Sequence, residues 1–127
     1  MYSYIIVKTS FRGFHQYKDA PEPVAFLRSL HRHDFLVEAK IEVKHDDREL
    51  EFFIEQSALD VTIAHAINEE DVGSCEMAAR AIVTEMLNDS KYHGRLIEVS
   101  VSEDGENRAI VGLTEEDLVL QHGLVDA

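Results

Sequence analysis

The chain has 127 residues, of which 45% are hydrophobic and 29% charged, with a formal net charge of −13. That length suits a single domain, residues 1–127, able to bury roughly two-thirds of the surface its unfolded chain exposes, and acid in such excess argues against a nucleic-acid or anionic-membrane partner, which would need clustered Lys and Arg. The lone Cys75 excludes an intrachain disulfide, and with no signal-like apolar core and no apolar run of bilayer length the expected setting is cytoplasmic.

Residues 2–15 alternate, with Ile5, Val7, Thr9, Phe11, Gly13 and His15 on one parity and Tyr4, Ile6, Lys8, Ser10 and Arg12 on the other. This is the period of a half-buried strand. Pro21-Glu22-Pro23 then bars a strand and breaks any helix before it, leaving a turn of helix at most over 24–30. The excursion joins two strands that both end in histidine, which makes it a candidate active-site loop. A second strand opens at His31-Arg32-His33 and runs through Phe35, Val37, Ala39, Ile41 and Val43 on one side. His31 and His33 continue that apolar side, and Arg32 falls on the opposite one. After a turn over 45–48, residues 49–55 alternate again and predict a third strand, paired with the second as a hairpin.

Ser57, with Asp60 three residues on, reads as the N-cap of a first helix over 58–67, and Ser74 as the N-cap of a second. In the second, Cys75, Ala78, Ala79, Ile82, Val83, Met86 and Leu87 recur at helical spacing. Residues 95–103 predict a strand whose apolar parity, Ile97, Val99 and Val101, ends in Glu103; Asp104-Gly105 is a hairpin turn signal, and 108–113 returns as the last strand. Residues 113–127 form a short C-terminal extension in which Thr114 and Asp117 can cap a helix ending near Gly123. The expected class is α+β, with helices on one face of an antiparallel sheet.

Three histidines, His15, His31 and His33, and one carboxylate, Glu103, thus end apolar strand faces. Three imidazoles can hold a zinc ion and leave a fourth position open; on pattern alone they can equally be polar strand ends. Cys75 has two readings: a thiolate favoured by the helix N-terminus, or a member of the buried stripe. His65 is an acid–base candidate or a helix-face histidine, and Glu103 a ligand anchor or a solvated strand end. Ser74 is foremost a cap.

The ordered set His15, His31-Arg32-His33-Asp34-Phe35, Ala64-His65-Ala66-Ile67-Asn68-Glu69, Gly73-Ser74-Cys75-Glu76-Met77-Ala78 and Val101-Ser102-Glu103 resembles the 6-pyruvoyl-tetrahydropterin and 6-carboxy-tetrahydropterin synthase family over roughly residues 2–112. The resemblance implies the T-fold, an antiparallel sheet with two helices packed on one face that oligomerises into a barrel, commonly a hexamer of two trimers. It implies Zn2+ on His15, His31 and His33, Glu103 anchoring the guanidine-like edge of a pterin, and Ser74, Cys75 and Glu76 lining its pocket. His65 would be the acid–base residue of a lyase acting on a compound like 7,8-dihydroneopterin triphosphate. The chain departs from the family pattern where a catalytic cysteine or glutamate would precede His31, since Ala25, Phe26 and Leu27 stand there, and Ala64 replaces an aspartate. An inactive ligand-binding or scaffold protein on the same fold is the alternative.

Overall fold

In a computed structural model, which describes residues 2–126, the alternating segments become β1 (Ser3–His15), β2 (His31–Val43), β3 (Ile97–Glu103) and β4 (Arg108–Leu113). They form one antiparallel sheet in the order β1-β2-β3-β4. Between β2 and β3 the chain makes α1 (Phe52–Ala66) and α2 (Cys75–Met86), and after β4 it makes α3 (Glu115–Asp126). The class is α+β. α2 packs on β3 and β4, while α1 packs on α2 and β1, so one face of the sheet is covered. The pleat sends Val7, Phe35, Val37, Ala39, Ile41, Ile97, Val99 and Val101 into that layer against Leu59, Ile63, Ala79, Ile82 and Val83. Each large side chain buried this completely contributes on the order of 1.5–3 kcal/mol.

The strand expected over 49–55 does not form. β2 is already bonded to β1 on one edge and β3 on the other, so a hairpin partner would have no ladder to join. Residues 52–55 instead begin α1, with Glu51 as N-cap accepting from the Ile54 N–H at 2.9 Å. Ser57 therefore lies inside the helix rather than at its start. Glu55 is 2% exposed and accepts from Lys91 Nζ and the Tyr92 hydroxyl, each at 3.0 Å. Burial, and then the Glu55 charge, push the Tyr92 phenol well above its usual range. Ser74 does cap α2, accepting from the Met77 N–H at 3.1 Å. Asp117 accepts from the Thr114 N–H at 2.8 Å at the start of α3. Between the first two strands Pro21 stands at the N-cap of a 3₁₀ segment, Glu22–Arg28, with Pro23 in its first turn.

Near its end β1 also bonds to the loop after α1: the Phe14 N–H donates to the Glu69 carbonyl at 2.7 Å and the Val72 N–H to the Phe14 carbonyl at 2.9 Å. Gly13 permits that approach, because a Cβ there would stand 2.6 Å from Val72 Cγ2 and 3.2 Å from the Glu69 carbonyl oxygen. Gly13→Ala is expected to cost about 1–3 kcal/mol, as overpacking does, read as a lower urea midpoint with an unchanged slope.

A second lock closes the opposite end of the sheet. The Arg95 guanidinium donates to the Glu49 carboxylate at 2.8 Å, to the Glu42 carbonyl at 3.0 Å and to the Lys91 carbonyl at 3.0 Å. The hydrogen bond from Arg95, followed by that from the Lys44 N–H, holds the Glu49 carboxyl at about 2, below its ordinary 4.5. A carboxyl depressed by folding adds stability that is complete above the unfolded value and is lost as the pH falls through the folded one. Stability is therefore expected to fall between about pH 4.5 and pH 2. Glu49→Gln should flatten that part of a plot of urea midpoint against pH.

Candidate metal centre

The β1–β2 register sets His15 directly opposite His31, Gly13 opposite His33 and Phe11 opposite Phe35. Parity does the rest: all three imidazoles stand on the core side of the sheet, at the end where the hydrophobic layer opens. Their ring centroids are 4.6 Å (His15–His31), 5.2 Å (His15–His33) and 4.9 Å (His31–His33) apart. Phe35, itself fully buried, presents its ring to His15 and His33 from below. Arg32 is exposed on the other face.

The second ring nitrogen of each histidine is held. His15 Nδ1 lies 2.7 Å from the Gly73 carbonyl, His31 Nδ1 2.8 Å from the Ser29 carbonyl, and His33 Nδ1 2.7 Å from Asp104 Oδ2. A carbonyl only accepts, so Nδ1 must carry the proton in His15 and His31, and the Asp104 carboxylate selects the same tautomer in His33. Each neutral ring then turns an Nε2 lone pair toward the other two. One ligand atom from each of the three lies within 4.8 Å of the others, close enough to hold one metal ion. Among the described residues, His31 Nε2 and His33 Nε2 are the buried side-chain polar atoms without a hydrogen-bond partner. Buried lone pairs left empty are costly unless an ion fills them, and outward hydrogen bonds of this kind orient and strengthen metal-ligating imidazoles.

Glu103, opposite Phe35 in the β2–β3 register, brings its carboxylate over the same point. Oε1 is 3.1 Å from His15 Nε2 and Oε2 is 3.6 Å from His33 Nε2. The turn that follows places the next residue: Asp104 and Gly105 have φ of 55° and 79°, the positive pair of a type I′ turn, closed by the Glu106 N–H donating to the Glu103 carbonyl at 3.1 Å. Asp104 thereby accepts from both the Asp34 N–H at 3.0 Å and His33. These two hydrogen bonds, that from Asp34 first, hold its carboxyl below the usual range. Gly73, with φ of 81°, similarly sits in the left-handed region as its carbonyl meets His15.

These groups line a cavity of about 870 Å³ whose wall also includes Leu27 of the excursion, Ser74, Cys75, Glu76 and Met77 from the start of α2, and Arg108. The Cys75 Sγ is 4.0 Å from Glu103 Oε1. Burial first, and then the Glu103 and Glu76 charges, push its thiol up to about 11. Burial and the two carboxylates oppose the effect of the helix N-terminus on this thiol. His65 is exposed in the last turn of α1 and does not line the cavity of its own chain.

Sequence reasoning reached the three histidines and Glu103 through parity. It missed Asp104, read only as a turn residue, and the two carbonyl acceptors, which any residue could supply. The adjacency of Asp104 to a face-ending glutamate was the one available signal. No family model and no curated protein matches the chain.

Proposed function

We propose that the chain is a zinc-dependent protein of tetrahydropterin-synthase type, binding a pterin-like ligand in the cavity above the three histidines. The observation that carries this reading is the convergence of three Nε2 lone pairs whose rings are each held at Nδ1. A neutral imidazole triad with room beside it suits Zn2+ in a catalytic arrangement. When bound, the ion would act as a Lewis acid on a substrate oxygen. The Glu103 carboxylate would accept paired N–H groups from the guanidine-like edge of the ring, as carboxylates do from flat double donors. Ser74, Cys75 and Glu76 would flank the ligand, and Asp104 would hold His33 in its tautomer. With 39% of its side chain exposed, Glu103 has the freedom to meet a ligand.

In this reading the chain has the T-fold and assembles into a closed homo-oligomer, a hexamer of two trimers. Its support is the sheet order, which leaves β1 and β4 at open edges that barrel closure would pair. His65, exposed and away from its own cavity, would act as acid–base residue only from a neighbouring subunit.

One observation favours the competing reading, a ligand-binding protein without turnover. Outside the metal triad, the cavity's described lining holds no imidazole, and its one thiol stays protonated at neutral pH. Incubating the zinc-loaded protein with 7,8-dihydroneopterin triphosphate, followed by mass spectrometry, separates the two. A product of altered mass, lost in His31→Ala, supports the synthase. Binding without conversion supports the second reading, and the absence of both binding and conversion overturns the pterin assignment.

A further inference from the structure

The metal reading leaves one contact unexplained. With His15 donating through Nδ1 to the Gly73 carbonyl, Nε2 of the neutral ring carries a lone pair, yet Glu103 Oε1 stands only 3.1 Å away. Two electron-rich atoms at that distance repel unless a cation lies between them. An extra proton on His15 would satisfy that one pair, but it would leave His31 Nε2 and His33 Nε2 still without partners in buried positions. A metal ion answers all of them together.

The distances favour the carboxylate as one of its donors. Ligands at about 2.0–2.1 Å from a tetrahedral zinc are roughly 3.3–3.4 Å from one another. Glu103 already brings Oε1 to 3.1 Å from His15 Nε2 and Oε2 to 3.6 Å from His33 Nε2, so each oxygen stands near that edge length from one imidazole. Building on the metal site of the proposed function, we infer that Glu103 is a fourth metal ligand of the ligand-free protein, completing a three-nitrogen, one-oxygen shell. The centre is closed at rest. A bound molecule with a guanidine-like edge draws Glu103 off the metal and in doing so opens the coordination position its own oxygen needs. One carboxylate thereby couples recognition of the ring to exposure of the Lewis acid.

The test is a cobalt titration of the full chain, comparing wild type with Glu103→Gln and with Cys75→Ser. Wild type and Cys75→Ser should give the same four-coordinate visible spectrum, unmoved by azide. Glu103→Gln should bind cobalt at least about 10-fold more weakly, which is the lower end of what loss of even an outer-shell partner costs, and its spectrum should shift when azide is added to the vacated position. Circular dichroism of the metal-free variant confirms that the fold is retained. Equal affinity and identical spectra in wild type and Glu103→Gln would overturn the inference while leaving the histidine site standing. A thiolate-to-cobalt charge-transfer band would also overturn it, by putting Cys75 in the fourth position. Failure of wild type to bind cobalt or zinc would instead remove the metal reading itself.

Discussion

Replacing His33 with alanine is expected to strip the protein of its metal and, with the metal, of a large part of its thermal stability. His33 supplies one of the three convergent nitrogens found among the described residues, and its ring is tied outward to Asp104 at 2.7 Å and from there to the Asp34 N–H at 3.0 Å. Losing it removes an inner ligand and releases the hairpin turn that its partner secures. Affinity should therefore drop by more than the roughly 10–100-fold that loss of an outer partner costs. An ion at about 1,000 times its dissociation constant adds roughly 4 kcal/mol to folding. In a domain of this size that corresponds to roughly 10–20 °C in melting temperature. Zinc should raise the melting temperature of wild type by such a margin and leave His33→Ala almost unmoved. Metal analysis of the purified, tag-free protein should show about one ion per chain in wild type only. Equal zinc-induced shifts in the two proteins would exclude a site on these histidines.

The second large effect is expected at Phe35. Its side chain is fully buried, stacks on Phe11 at 5.1 Å with the planes 13° apart, and supports the rings of His15 and His33 at 5.2 and 5.9 Å. Phe35→Ala leaves a cavity under the site and should cost roughly 3–5 kcal/mol. That is a large share of the roughly 5–15 kcal/mol that holds a typical domain together. Urea unfolding should show it directly. Zinc affinity should fall as well, because the imidazoles lose the surface that limits their tilt. Phe14→Ala is the matched control. Phe14 lies one residue before His15, but it is 39% exposed, on the uncovered sheet face, and truncation there should cost clearly less than at Phe35.

What was legible in the sequence follows from which forces leave a periodic trace. A strand with one buried face writes its period into every second residue, so β1, β2 and β4 were read to within a residue of their ends. The same periodicity assigned His15, His31, His33 and Glu103 to one face. It could not say whether an edge was free for another strand, and so 49–55 was read as a hairpin partner when both sides of β2 are in fact occupied. Seven alternating residues are also too few to separate a strand from the first turns of a helix. The outer partners of the histidines escaped for a different reason. The Gly73 and Ser29 carbonyls are backbone groups present at every position, and only the folded chain decides which of them meet an imidazole.

The alignment of the three histidines also bears on how the first two strands find each other. β1 and β2 each run for thirteen residues, and the inward positions of both are largely apolar. Sliding one along the other by two residues would keep Val7, Phe11, Val37 and Ile41 facing inward, so the hydrophobic pattern alone discriminates poorly between such neighbouring pairings. Only the native pairing sets His15 across from His31 with His33 beside them. An ion held by these histidines would favour this pairing over its neighbours and so proofread the register of the sheet, making the site a selector among ways of folding.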